Sequence, residues 1–238
     1  MHYLVLLHDD GRGPAWEPGT PEWDAEMEKY VAFERAAGEA VCGGEALQEP
    51  SSGAVVRPGG DTLLVTEGPF AEGAEVVGGY YVLAGDDLDQ VLALAAQIPV
   101  AAYGTLEVRP LIEWSPSRAA PSGATRWLAL LHGAPTEADR PGTPQWDAAL
   151  ADHARFGAEH DAHLLGGAAL HPPETATTLR VRDGRMLLTD GPFAEGAEVV
   201  GGYYEFWADG RDAAVAIAGQ IPVGDGAVEL RPIAPLDA

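Results

Sequence analysis

Apolar and polar positions recur along the chain with two periods, one of strands and one of helices. Residues 3–7 form a short apolar run ending at a polar loop, which predicts a buried strand. Thr20 then caps a helix with Pro21 at its first position, where proline's missing N–H costs nothing, and Trp23, Met27, Tyr30, Phe33 and Ala37 follow at helical spacing. Residues 54–57 and 62–66 read as short strands, and 76–83 as a strand interrupted by Gly78-Gly79. Leu88, Val91, Leu92, Ala95 and Ile98 mark the inward face of a second helix, halted by Pro99, and Leu106 and Val108 alternating with Glu107 and Arg109 make a last strand.

The same series then starts again. Residues 68–81 recur letter for letter as 191–204, Leu6-Leu7-His8 returns as Leu130-Leu131-His132, and Arg109-Pro110 returns as Arg231-Pro232. Thr143-Pro144 repeats the helix start, Trp146, Leu150, His153, Phe156 and His160 repeat the stripe, and Asp183-Gly184 between 178–182 and 185–189 is a tight-hairpin dipeptide. The chain is a tandem duplication with modules at 1–114 and 126–238. Residues 115–125, small or turn-forming apart from Arg118, read as a linker that spans at most ~36 Å when extended. Each module reads as βαββαβ with helices on one face of an antiparallel sheet, so the other face needs a cover, and the second copy is the obvious one.

Composition narrows the function classes. In 238 residues, 14 basic against 37 acidic side chains leave a formal charge of −23, a field that repels phosphate backbones and anionic lipid, which argues against nucleic-acid and membrane-surface roles. No apolar stretch approaches the length of a spanning helix, the first run lacks a basic flank and a cleavage site, and the lone Cys42 permits no internal disulfide. A cytoplasmic location is the expectation.

Thr189-Asp-Gly-Pro-Phe-Ala-Glu195, with Gly201-Gly-Tyr-Tyr204 behind it and Gly166-Gly167 upstream, resembles the YCII-related or DGPF-motif family, and the resemblance runs through both halves. It implies ferredoxin-like modules of the dimeric α/β-barrel superfamily, here an α+β pseudo-dimer forming an intramolecular barrel for which a monomer suffices. It also implies a small-molecule ligand, and kinship with isomerases, dehydrochlorinases and cofactor-free oxygenases of small cyclic compounds. Some members are thought to accompany sigma factors, so a non-catalytic ligand-binding or regulatory module with a protein partner is the rival expectation.

The two copies differ where chemistry would sit. Copy two keeps Asp190 and has His153 on the inward helix stripe, which suggests a proton-transfer pair; a backbone-bonded turn carboxylate and a satisfied core histidine are the plain alternatives. Copy one has Tyr30 at the histidine position, Glu67 at the aspartate position, and Glu45 where copy two has Ala168, so unequal pockets are expected. Substrate contacts fall to His8 and His132 at the first strand ends, Arg109 and Arg231, the motif's Phe70 and Phe193, and Tyr81 and Tyr204. The arginines also suit a cross-strand salt bridge with Glu107 and Glu229, and Gly78-Gly79 suits close helix packing or leaves room for a ligand. His160 and His163 extend His153 into a helix trio without the spacing of a metal site. The expected chemistry is isomerisation, elimination or cyclisation by acid and base, with no organic cofactor and no metal.

Overall fold

A computed structural model describes residues 1–9, 19–59, 62–70, 75–136, 140–193 and 198–235. The first repeat runs β1 (His2–Asp9), α1 (Pro21–Ala37), β2 (Val41–Ala46), β3 (Ala54–Gly59), β4 (Thr62–Glu67), β5 (Val76–Ala84), α2 (Leu88–Ala95) and β6 (Thr105–Ile112). The second runs β7 (Thr125–Gly133), α3 (Pro144–Glu159), β8 (Leu164–Leu170), β9 (Thr177–Arg182), β10 (Arg185–Asp190), β11 (Val199–Ala208), α4 (Arg211–Ala218) and β12 (Ala227–Pro232). No helix among the described residues is long and apolar enough to cross a membrane.

Local chemistry starts and stops these elements as the sequence predicts. The Thr20 and Thr143 hydroxyls accept the Trp23 and Trp146 N–H groups at 3.3 and 3.1 Å, and a proline follows each cap. At the β9–β10 turn Asp183 and Gly184 have φ of +52° and +71°, the conformation a two-residue hairpin demands.

The chain folds into two compact units, residues 1–45, 73–110 and 174–193 in unit 1, the remainder in unit 2. Unit 1 orders its strands β2-β5-β1-β6-β9-β10, and unit 2 orders its own β8-β11-β7-β12-β3-β4. The first four strands of each make the ferredoxin-like α+β sheet expected of the dimeric α/β-barrel class. The β3–β4 hairpin does not join its own repeat's sheet. It pairs with β12 through Val56 and Val228, and β9 pairs with β6 through Leu179 and Leu106. The strand completing each four-stranded sheet is β2 or β8, segments that sequence periodicity passes over because Gly43-Gly44 and Gly166-Gly167 interrupt any alternation.

Those glycines give β2 and β8 their close approach to the neighbouring strand. A Cβ on Gly167 would lie 2.5 Å from the Tyr203 carbonyl oxygen and 2.8 Å from the Tyr204 ring, and one on Gly44 would lie 2.7 Å from the Tyr80 carbonyl oxygen. The Gly78-Gly79 pair proves to be a bulge rather than a helix-packing site: Leu7 faces Gly79 while His8 faces Val77, leaving Gly78 extra. The same slip recurs in β11 beside His132.

One face of each sheet carries the helices. In unit 1, Tyr3, Val5, Leu7, Leu106 and Val108 pack on α1 and α2 through Phe33, Val91 and Leu92; in unit 2, Trp127, Ala129, Phe206 and Leu230 pack on Phe156 and Ile217. Neither α1 nor α3 is deeply seated. Glu26 and Phe33 are the buried residues of α1, Phe156 that of α3, and Leu150, placed inward by its spacing, is 46% exposed.

Gly167→Ala must therefore push β8 off β11, and unfolding in guanidinium should show a loss of about 2 kcal/mol or more. Gly157→Ala, in α3 with nothing within 4 Å of the added carbon, should leave stability unchanged or raised.

Candidate functional site

Alternation along β6 sends Leu106 and Val108 to the helices, so Glu107 and Arg109 point to the opposite face; β12 repeats this with Glu229 and Arg231. All four are buried, Arg231 to 0% exposure, where an arginine persists only with partners. The partner is the glutamate two residues back on the same strand: Arg231 Nη1 lies 3.4 Å from Glu229 Oε1, and Arg109 bonds Glu107 likewise. The ion pair runs along one strand, which corrects the cross-strand expectation. Arg231 also donates to the Gln48 carbonyl oxygen at 2.6 Å.

The motif phenylalanine closes this pair. The Phe193 N–H donates to Glu107 Oε2 at 2.9 Å, its ring lies 4.6 Å from the His8 ring, and the Arg180 guanidinium stands 5.7 Å from its centroid. In unit 2 the Phe70 N–H bonds Glu229, the Phe70 ring stacks on His132 at 4.0 Å and 12°, and the Arg57 guanidinium stands 5.3 Å from the ring centroid. Each half-buried phenylalanine thus meets a hairpin arginine and a strand-end histidine. Arg57 is held by a two-pronged bond to Glu198 at 3.0 and 2.7 Å, and Arg180 donates to Thr105 Oγ1 at 2.8 Å. His132 Nε2 is 3.4 Å from Glu229 Oε2. Burial pushes the Glu229 carboxyl up, but the His132 hydrogen bond, the charges of His132 and Arg231 and the Phe70 N–H outweigh it and hold the carboxyl below its ordinary range.

The helix-bearing face carries a different set of polar groups. In unit 2, His153 on α3 reaches Tyr204 on β11, with Nδ1 2.9 Å from Oη, and Phe156 lies 5.2 Å from the same ring. Burial lowers the His153 pKa, opposed by the charge of Asp152, and burial pushes Tyr204 up to about 12. At neutral pH the pair is therefore uncharged, and the imidazole tautomer sets whether the phenol donates to Nδ1 or Nδ1–H donates to Oη. Gly167 leaves the space that the Tyr204 ring occupies.

Unit 1 has phenols and carboxylates there instead. Tyr81 donates to Glu34 Oε1 at 2.8 Å, Tyr103 donates to the buried Glu26 at 3.3 Å, and Tyr30 bonds Tyr103. Burial raises all three phenols, Tyr30 to about 12; Glu34 adds to the rise of Tyr81 and Tyr30 to that of Tyr103, while the Tyr103 hydrogen bond partly offsets it at Tyr30, so they remain protonated donors. Lys29 meets Glu26 at 2.6 Å.

The other expected site residues lie elsewhere. Asp190 is exposed at the end of β10 in unit 1, whereas His153 belongs to unit 2. Glu67 is exposed and pairs with Arg211 at 2.5 Å within unit 2, and Glu45 lies half-buried on β2. His160 meets Gln220 Oε1 at 3.3 Å, and His163 meets the Trp207 carbonyl oxygen at 3.1 Å. Among the described residues no three potential ligands converge on a metal position. Motif residues 71–74 and 194–197 lie outside the described residues. Sequence reasoning missed Arg57, Arg180, Glu26 and Tyr103. The two arginines share the 123-residue offset of the repeat, a signal that could have found them, whereas Glu26 and Tyr103 have no counterpart in copy two.

Residues 1–115 and 126–237 each match the model of the YCII-related domain. Two solved structures resemble the chain over most of its length. One is described as a candidate chlorite dismutase, with 7% identity and a TM-score of 0.43 over 98% of this chain and 94% of that one. The other is a heme-binding protein from Thermus thermophilus, with 11% identity and a TM-score of 0.45 over 98% of this chain and 90% of that one. Neither likeness bears on what this chain binds. No curated protein matches the chain in sequence.

A carboxyl held below its ordinary 4.5 contributes stability that is complete above that pH and is lost as pH falls through the folded value. Glu229→Gln leaves Arg231 charged and buried, so it should cost about 3 kcal/mol at pH 7. It should also flatten the acid limb of the stability profile below pH ~4.5, read by denaturant titrations across pH.

Proposed function

The chain belongs to the YCII-related domain family, and from that premise we propose that it binds a small cyclic organic molecule in the helix–sheet layer of unit 2 and exchanges a proton with it through His153 and Tyr204.

The ligand in this reading is a compound with an apolar ring and one polar group. The observation that supports it is the uncharged His153–Tyr204 pair, 2.9 Å apart and half-buried beside Phe156. A dry imidazole with a lowered pKa is a base at neutral pH, and a phenol at about 12 is a donor to a developing oxyanion, so together they suit isomerisation, elimination or cyclisation by proton transfer. Unit 1, with Tyr30, Tyr81 and Tyr103 all protonated, offers donors and no comparable base, so it serves as a weaker binding site. The exposure of Asp190 at the end of β10 favours a second reading, a ligand-binding regulatory module without catalysis, because the motif carboxylate is not enclosed with a ligand.

Ligand-observed NMR against a panel of phenols, lactones and cyclic ketones tests the proposal. Compounds that bind should lose about tenfold or more in affinity in His153→Phe and keep most of it in Tyr30→Phe. Binding should be flat above pH about 6.5 and weaken below, as His153 takes up a proton. Equal losses from the two variants, or binding indifferent to pH, would remove the His153–Tyr204 site. Conversion of a bound compound by the wild type alone separates the enzyme from the regulatory module.

A further inference from the structure

The hairpins end in two apolar edge strands, β4 with Leu63, Leu64 and Val65 at 41, 58 and 42% exposure, and β10 with Met186, Leu187 and Leu188 at 45, 51 and 47%. Exposed apolar edges invite strand pairing, and proteins usually blunt them with lysine, proline or a bulge. β4 is tied down within unit 2: Glu67 bonds Arg211 at 2.5 Å, and Leu63 packs so closely on Gly219 at the end of α4 that a Cβ there would overlap its side chain. The repeat replaces these two α4 partners by Leu88 and Ala96 in unit 1, so the ion pair that ties β4 has no counterpart at β10. Its register with β9 is regular from Arg185 to Asp190, without lysine, proline or bulge, and among the described residues it pairs with β9 alone.

We propose that β10 is a homodimerisation edge, pairing antiparallel with β10 of a second copy about a two-fold axis at Leu187. A dyad perpendicular to the sheet requires each residue to meet one on its own face, so the pairing centres on a residue. Centring it on Leu187 sets Leu187 against Leu187, Met186 against Leu188 and Arg185 against Thr189, with no like charges opposed. Charge selects this edge over the rest of the surface. The chain carries −23, and two copies repel, but residues 177–190 hold Arg180, Arg182 and Arg185 against Asp183 and Asp190. The β3–β4 hairpin has Arg57 against Asp61 and Glu67, and one arginine of each hairpin already meets a glutamate outside it, Arg57 with Glu198 and Arg180 with Glu75. A basic foreign partner fits the acidic remainder of the surface better than this hairpin, which leaves a second copy as the occupant.

Sedimentation velocity of the full chain over a concentration series tests this. A reversible dimer is expected, strengthened by added salt because screening relieves the net repulsion. Leu187→Lys should give a monomer with unchanged far-ultraviolet circular dichroism, since it sets two ammonium groups face to face, while Val65→Lys should leave the dimer intact. In a Cys42→Ser background, Leu187→Cys should form a covalent dimer on mild oxidation and Leu64→Cys should not. A monomer at all concentrations and salts, a dimer indifferent to Leu187→Lys, or cross-linking by Leu64→Cys in place of Leu187→Cys would overturn the proposal.

Discussion

Each unit depends on a buried carboxylate that must satisfy more than one claimant at once. Glu107 and Glu229 neutralise an arginine on their own strand and accept the N–H of the motif phenylalanine, and Glu229 also meets the strand-end His132. A buried arginine without its glutamate would be an isolated charge in a dry place, and a buried glutamate without that N–H would lack one of the bonds that hold it ionised. The motif therefore has a physical reason. Gly191 takes a positive φ of +98°, Pro192 stiffens the turn, and Phe193 delivers both a ring and an N–H to the carboxylate. The hairpin that precedes the motif is fixed by the same ring, through its contact with Arg180 or Arg57.

This assignment separates two tasks that the motif's prominence would otherwise merge. The repeated signature holds the hairpin to the sheet, and it is nearly identical in the two copies because both hairpins face the same requirement. The helix-bearing face has no such requirement, and there the copies diverge: His153 with Tyr204 in one, Tyr30 with Tyr103, Tyr81, Glu26 and Glu34 in the other. The difference in chemistry follows the burial. Desolvation keeps His153 neutral and every one of these phenols protonated, so unit 2 holds a base and a donor while unit 1 holds donors and carboxylates.

Much of this is legible in residue order. The Thr-Pro helix starts, the Asp183-Gly184 turn and the inward Phe33 and Phe156 all obey local rules that hold without tertiary context. What escapes depends on partners. Alternation tells which face a strand buries but not which strand it joins, so residue order places the hairpins with their own repeat, whereas β3 lies on β12 and β9 on β6. The strands at Gly43-Gly44 and Gly166-Gly167 carry no alternation because the rings of Tyr81 and Tyr204 occupy the place of a side chain at Gly44 and Gly167, and Ser117 does so at Gly166. Leu150 has inward spacing on a helix too lightly seated to bury it. Glu26 and Tyr103 lie 77 residues apart and meet only because α1 crosses the sheet beside the loop before β6.

Hydrogen exchange in Phe193→Ala measures the clasp most directly. If the phenylalanine and its N–H hold the hairpin, the amides of β9 and β10 should lose protection by at least about tenfold while those of β1 and β5 keep theirs, because local opening of the hairpin then costs less than unfolding the sheet. Wild-type protection in β9 and β10, or an equal loss across β1 and β5, would contradict the account.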